Sequence, residues 1–223
     1  INYCNDKRYM SVSSIFKNGQ YLNLEWDFGE LTYNIMPLDY ETYESSGTQL
    51  CAVTTNAKTG KPEYFYPKDL REFGCPVLKA SCALPIATKG AVIDGEVYFD
   101  GGVSDSIPLA KAFDDGCKKA VVVLTQVRGF EKQPVKQQRT VRRVLKQYPA
   151  LAEAVLNRHE MYNRQLAYVY EQEKQGNCFV IAPAADLHCS TIERNVTKLE
   201  RIYQLGLVQG RQKADELKAF LEK

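Results

Sequence analysis

The sequence predicts an α/β protein, a three-layer α/β/α sandwich with a mostly parallel central sheet. Two continuous apolar runs, at residues 119–125 and 177–182, are typical of strands covered on both faces. Helical segments alternate with the predicted strands, and this alternation favours crossover connections. The 223 residues are enough for one sizeable core, so we expect a single domain, 1–223, with a core at about 1–182 and a C-terminal helical region at 183–223.

The elements of the N-terminal half follow from apolar spacing and from turn residues. Helical spacing covers three segments, 3–17, 24–36 and 40–44. Residues 48–55 and 62–66 are rich in β-branched and aromatic side chains and are joined through Thr59-Gly60, which predicts two paired strands. A short helix is expected near residues 76–83, before Pro85.

Residues 91–100 predict a β-hairpin that ends in a carboxylate. Asp94-Gly95 supplies the positive φ angles that a tight two-residue turn requires. Asp100 then stands at the end of the second strand, and Gly101 and Gly102 follow it at once. The simplest interpretation is that Asp100 caps the turn, since Asp and Gly are common turn residues. The alternative is that the stiff ribbon aims this carboxylate at a reacting group.

The C-terminal half is expected to be mainly helical outside its two strands. Helices are predicted near 107–115 and 149–174. Apolar residues recur at three- and four-residue steps from Val196 to Leu221, which predicts a last helix whose apolar stripe packs into the core or, alternatively, forms a dimer seam. Basic residues with helical spacing occupy the stretch between Glu131 and Glu153: Lys132, Lys136, Arg139, Arg142, Arg143 and Lys146. This stripe is either an ordinary solvated face or a contact with anionic lipid head groups.

Composition narrows the class of protein. Twenty-nine basic and 27 acidic residues nearly balance, so no overall electrostatic footprint for nucleic acid exists. Seven cysteines, an odd number without a C-x-x-C pair, favour reduced thiols in a cytoplasmic protein. His188 beside Cys189 lacks further ligands at suitable spacing, so no metal site is expected.

Two blocks in a fixed order resemble the bacterial patatin-like phospholipase family of acyl hydrolases. These are residues 77–85 and residues 98–108, the second containing Asp100-Gly101-Gly102. In that family the aspartate of a D-G-[GA] motif partners a nucleophilic serine in a Ser-Asp dyad. The resemblance therefore implies that Asp100 is catalytic, that Gly101 and Gly102 support the motif, and that no metal or organic cofactor takes part.

The family's nucleophile lies in a G-x-S-x-G elbow, and that pattern is absent from the 223 residues. We therefore expect an N-terminally truncated patatin-like domain, inactive alone, whose full-length form is a phospholipase or esterase with its serine upstream of residue 1. The implied partners are a lipid ester substrate and an anionic membrane surface. The alternative is a non-catalytic lipid-binding or protein-interaction module on the same scaffold. Substrate head group, acyl length and oligomeric state stay open.

Overall fold

The computed structural model describes residues 1–71 and 75–222. The chain divides into two compact units. The Asp100 unit consists of Asp6–Ser106 and Pro134–Met161. The C-terminal unit consists of Ile1–Asn5, Ile107–Gln133 and the described residues from Tyr162 onward.

The described residues form helices of three kinds and six strands. The α-helices are α1 Val12–Asn18, α2 Tyr40–Ser45, α3 Pro76–Ser81, α4 Leu109–Asp114, α5 Gln138–Val144, α6 Pro149–Lys174, α7 Val196–Gln212 and α8 Ala214–Glu222. A π-helix covers Trp26–Ile35, and a 3-10 turn covers Gly101–Val103. The strands are β1 Ala52–Asn56, β2 Pro62–Phe65, β3 Ala91–Ile93, β4 Glu96–Asp100, β5 Ala120–Val123 and β6 Cys178–Ile181.

The Asp100 unit contains a four-stranded sheet with the order β2-β1-β4-β3, and every neighbouring pair in it is antiparallel. The prediction of a three-layer sandwich with a mostly parallel central sheet is therefore wrong. Among the described strands, only β5 and β6 pair in parallel, in a separate two-stranded sheet. The physical reason lies in the connections between strands. Tight turns join β1 to β2 and β3 to β4, and strands joined in this way are antiparallel neighbours.

The two predicted hairpins are confirmed. Asp94 and Gly95 have φ values of 50° and 82°, the left-handed pair that a type I′ turn needs, and Ile93 pairs with Glu96 across it. In the β1–β2 connection the Asn56 side chain accepts the backbone N–H groups of Lys58 and Thr59 at 2.9 and 3.1 Å. Side chain and backbone together thus fix the start of that turn.

In the C-terminal unit, α6 covers one face of the parallel pair, and on the other face Phe220 of α8 contacts Phe179 of β6. Val122 and Val180 pack with Tyr162, Leu166 and Val169 of α6 in a buried apolar cluster. On the other side of β5, Val121 and Val123 are 40% and 69% exposed. The expectation that this apolar run is covered on both faces is wrong for the described part of the chain.

Helix α6 has the predicted bounds and contributes to both units. Leu151, Ala152 and Leu156 are buried in its N-terminal half, within the Asp100 unit. Tyr162, Leu166 and Val169 are buried in its second half. The regular apolar spacing of this segment explains why the sequence predicts it well.

Two other helical predictions are wrong in extent. The basic residues do not share a helix, because α5 covers only Gln138–Val144, so Lys132 and Lys136 precede it and Lys146 follows it.

The last helix is broken at Lys213 into α7 and α8, and no described residue of either is buried. Its apolar stripe is therefore not core. Asn195 caps α7 by accepting the N–H of Lys198 at 3.0 Å.

No helix in residues 1–71 or 75–222 is long and apolar enough to cross a bilayer.

Candidate active site

Asp100 ends the central strand β4, where backbone bonds from two sides hold it. Its N–H donates to the carbonyl of Ala83 at 2.9 Å, and its carbonyl accepts the Thr55 hydroxyl at 2.8 Å. Ala83 belongs to the first sequence block and Asp100 to the second, so the fold brings the two blocks together. The Asp100 side chain thus leaves the sheet from a fixed backbone.

The two oxygens of the Asp100 carboxylate have different surroundings. Oδ1 accepts the N–H of Gly102 at 2.7 Å, which caps the 3-10 turn. Oδ2 accepts no hydrogen bond from the described residues. The simple interpretation, a turn cap, thus accounts for Oδ1 and leaves Oδ2 available to another group.

Burial raises the pKa of Asp100 above the ordinary value of an aspartate. The Gly102 N–H and the positive charge of Arg158 act in the opposite direction, because both favour the ionised carboxylate. The net pKa is raised. A half-buried carboxylate of this kind accepts a proton more readily than an exposed one.

Space, and not a left-handed backbone, requires glycine at position 101 and leaves little room for a side chain at position 102. A Cβ on Gly101 would lie 2.3 Å from the carbonyl oxygen of Val53 on β1, which no side chain can occupy. A Cβ on Gly102 would lie 3.1 Å from Asp100 Oδ1 and 3.3 Å from Arg158 Nη2. The D-G-G pattern therefore allows the turn to pass close to β1 on one side and to the two charged groups on the other.

Hydroxyl and guanidinium groups hold the turn after Asp100. Thr55 Oγ and Ser104 Oγ are 2.7 Å apart and share a hydrogen bond. The Gly102 carbonyl accepts the Ser106 hydroxyl at 2.5 Å and the Nε–H of Arg158. Neither serine donates to the Asp100 carboxylate among the described residues.

Sequence reasoning finds the motif and misses its supports. Arg158 lies 56 residues beyond Gly102 in the chain, and Thr55 lies 45 residues before Asp100. Thr55 lies in the mostly buried strand β1 and Arg158 in the long helix α6, and neither residue type carries a special signal there. Only the tertiary fold brings these groups to the turn.

Cys82, at the end of α3, lies near two carboxylates. Although the residue is partly exposed, desolvation of its thiol raises the pKa to about 11, and the charges of Asp100 and Asp27 act in the same direction. Burial also raises the pKa of Asp27, which lies in the π-helix. A thiol with such a pKa is almost entirely protonated at neutral pH, so Cys82 is a poor nucleophile.

Neither histidine contacts Asp100. His159 Nδ1 lies 3.0 Å from the carbonyl of Leu156, and exposed His188 lies beside Asp186, with 3.5 Å between Nδ1 and Oδ2. In the described ranges, no group of three or more Asp, Glu, His or Cys side chains could hold a metal ion. The charged groups that act on the Asp100 carboxyl or on the neighbouring Cys82 thiol are Arg158, Asp27 and Asp100 itself.

Comparisons with known proteins give relatives without an assigned activity. A family described as "Domain of unknown function (DUF6363)" matches residues 148–222, which include Arg158 and exclude Asp100. The chain is 26% identical over 216 residues to "Uncharacterized protein YjjU" of Escherichia coli (strain K12). That match covers 95% of this chain and 60% of the relative's length, so the chain spans about three fifths of the curated relative it matches.

Proposed function

We propose that the full-length gene product is a serine acyl hydrolase of the patatin-like class that cleaves lipid esters, with Asp100 as its general base. The observation that carries this proposal is the Asp100 carboxylate itself. It stands at the end of a central strand, its pKa is raised by burial, Oδ1 is held by Gly102, and Oδ2 accepts no hydrogen bond from the described residues. The nucleophilic serine comes from outside these 223 residues.

In the proposed reaction the serine hydroxyl attacks the ester carbonyl carbon while Asp100 Oδ2 takes the hydroxyl proton. The tetrahedral intermediate collapses to an acyl-enzyme, and the alcohol leaves with the proton from Asp100. Water then attacks the acyl-enzyme and gives its proton to Asp100. The second tetrahedral intermediate collapses to the carboxylic acid, and Asp100 returns the proton to the leaving serine oxygen. This sequence needs no metal or organic cofactor.

A direct serine–aspartate pair places a particular demand on the carboxylate. In a serine–histidine–carboxylate enzyme the imidazole takes the proton and the carboxylate orients it. Here Asp100 must accept the proton itself, so a pKa above the ordinary aspartate range is favourable. Ionisation must still be complete at neutral pH, and the Gly102 N–H and Arg158 favour the charged form.

The proposed setting is the cytoplasm, with peripheral contact to an anionic membrane surface. All seven cysteines are free thiols in the structure, which supports a reducing compartment. Arg139, Arg143 and Lys146 are exposed in the Asp100 unit and supply positive charge for lipid head groups. The substrates proposed are phospholipids or other lipid esters.

The test is hydrolysis of a short-chain p-nitrophenyl ester by the full-length gene product, including any residues before Ile1. Asp100→Asn keeps the shape of the side chain and removes the base, so kcat/KM should fall by about 10³-fold or more. Asp94→Asn is the matched control, because Asn-Gly suits the same type I′ turn and activity should be unchanged.

Equal hydrolysis by the Asp100→Asn and parent proteins would show that the dyad assignment is wrong. A full-length parent without hydrolytic activity toward any ester tested would favour the non-catalytic lipid-binding or protein-interaction module.

A further inference from the structure

Arg158 reaches the turn after Asp100 from the N-terminal half of α6. Its Nε–H donates to the Gly102 carbonyl, which also accepts the Ser106 hydroxyl. Arg158 is half-buried, and both α6 in this region and the turn belong to the Asp100 unit. The orientation of the Gly102 peptide is therefore set by a side chain from a different element.

Gly102 forms hydrogen bonds with both Arg158 and Asp100. Its carbonyl is held by Arg158, and its N–H donates to Asp100 Oδ1 at 2.7 Å. The site where a Gly102 Cβ would stand lies 3.1 Å from Oδ1 and 3.3 Å from Arg158 Nη2. The guanidinium and the carboxylate thus both face this glycine, and they interact through charge and not through a direct hydrogen bond.

We propose that Arg158 is a positioning residue for Asp100: it anchors the Gly102 carbonyl, so that the Gly102 N–H holds Oδ1 and leaves Oδ2 directed away from the turn. This inference rests on the proposed function. It adds a second role for Arg158, which is to keep the base ionised by placing a fixed positive charge near it.

The charges around Asp100 support this role. Arg158 is the cation that acts on the Asp100 carboxyl, and it lowers the pKa that burial raises. From α3, Cys82 faces the same region as a neutral thiol, since its pKa is about 11. From the π-helix, Asp27 acts on Cys82 and carries a raised pKa of its own. Without Arg158, only the Gly102 N–H would oppose the effect of burial.

The experiment is the pH dependence of kcat/KM in the full-length gene product with Arg158→Gln and Arg158→Lys. The glutamine variant loses the positive charge, so the acidic limb should move to higher pH by about one unit, and KM should change little. The lysine variant keeps the charge but lacks the planar Nε–H fork, so the limb should stay near that of the parent while kcat falls about tenfold. Arg128→Gln removes an exposed arginine paired with Glu173 and should leave the profile unchanged.

An acidic limb that Arg158→Gln leaves at the parent position would overturn the proposal. If the glutamine variant does not fold, as judged by circular dichroism, the lysine variant decides, and parent values of kcat there would overturn it. Asp100→Asn separates the two levels of inference. Unchanged hydrolysis in Asp100→Asn refutes the proposed function, whereas lost hydrolysis together with an unmoved Arg158→Gln profile refutes only the positioning role.

Discussion

The Asp100 side chain is held by one oxygen and left available at the other. The bond from Gly102 N–H to Oδ1 is 2.7 Å long and fixes the rotamer, while Oδ2 accepts nothing from the described residues. A fully satisfied carboxylate would be a poor base, because proton transfer would cost it hydrogen bonds. A carboxylate without a partner would be poorly oriented. Asp100 combines orientation with proton-accepting capacity, as general-base catalysis requires.

Burial of a carboxylate whose pKa is raised makes stability depend on pH. The folded-state pKa of Asp100 lies above its unfolded value, so ionisation costs the folded state free energy. This cost is absent below the unfolded pKa, near 3.9, and grows as pH rises through the folded pKa. Asp100→Asn should therefore unfold at a higher temperature than the parent at pH 7.5, and the difference should disappear toward pH 3.

Asp39 provides a control of opposite sign for the thermal unfolding series. Hydrogen bonds from the Thr42 N–H and hydroxyl, at 3.0 and 2.8 Å, lower the pKa of Asp39. The stability that these hydrogen bonds give the folded state is present above the unfolded pKa of Asp39 and is lost as pH falls. Asp39→Asn should therefore be less stable than the parent at pH 7.5. Parallel pH trends for the two variants would contradict the assigned origin of the Asp100 shift.

At the scale of the elements, local sequence patterns predict the two hairpins and α6 well. They predict the extent of α5 and of the last helix poorly. Asp94-Gly95 specifies its own turn because the required φ values depend on those two residues. Helix α6 keeps one apolar face through 26 residues, so its bounds follow from spacing. The basic stripe fails because charge spacing alone does not form a helix, and α5 is only seven residues long. In short segments, turn residues therefore predict the structure better than the periodic spacing of side chains does.

The turn at the end of β4 gives an element-level prediction. Gly101→Ala places a Cβ 2.3 Å from the Val53 carbonyl oxygen, so β1 or the turn must move, and the variant should lose about 3 kcal/mol of unfolding free energy. Urea unfolding followed by circular dichroism measures the loss. Gly206→Ala in α7 is the control, since nothing lies within 4 Å of the added Cβ, and it should gain about 0.5–1 kcal/mol. Equal stability of Gly101→Ala and the parent would contradict the close packing of the turn on β1.

For the whole molecule, the sequence predicts which residues form strands better than which strands become neighbours. The apolar runs correctly predict that β5 and β6 are strands, although β5 is not covered on both faces as those runs suggested. The pairing of β1 with β4 spans more than 40 residues, and no local pattern encodes that partner. The same reason hides Arg158 from sequence reasoning, since its role depends on where α6 lies relative to the turn. Motif residues are readable because their spacing is local, whereas their supports depend on tertiary packing.

The proposed membrane contact depends on how charge is distributed over the whole molecule. The net charge is only +2, so any attraction to an anionic membrane must come from a local patch. Arg139, Arg143 and Lys146 are exposed, and each cation near an anionic bilayer contributes on the order of 1 kcal/mol. Reversing all three to Glu should therefore reduce flotation of the full-length protein with phosphatidylserine-rich vesicles by about 100-fold.

A matched triple reversal of other exposed lysines, Lys58, Lys61 and Lys68, separates a local patch from net charge. Both triple variants change the total charge by the same amount. A local patch therefore predicts that only reversal of Arg139, Arg143 and Lys146 abolishes flotation. Binding of the parent should also weaken as ionic strength rises from 0.05 to about 0.5 M, because the Debye length shortens to a few ångströms. If both triple variants lose flotation equally, the attraction comes from net charge and not from a local patch. If neither variant loses flotation, anionic lipid is no longer a proposed partner.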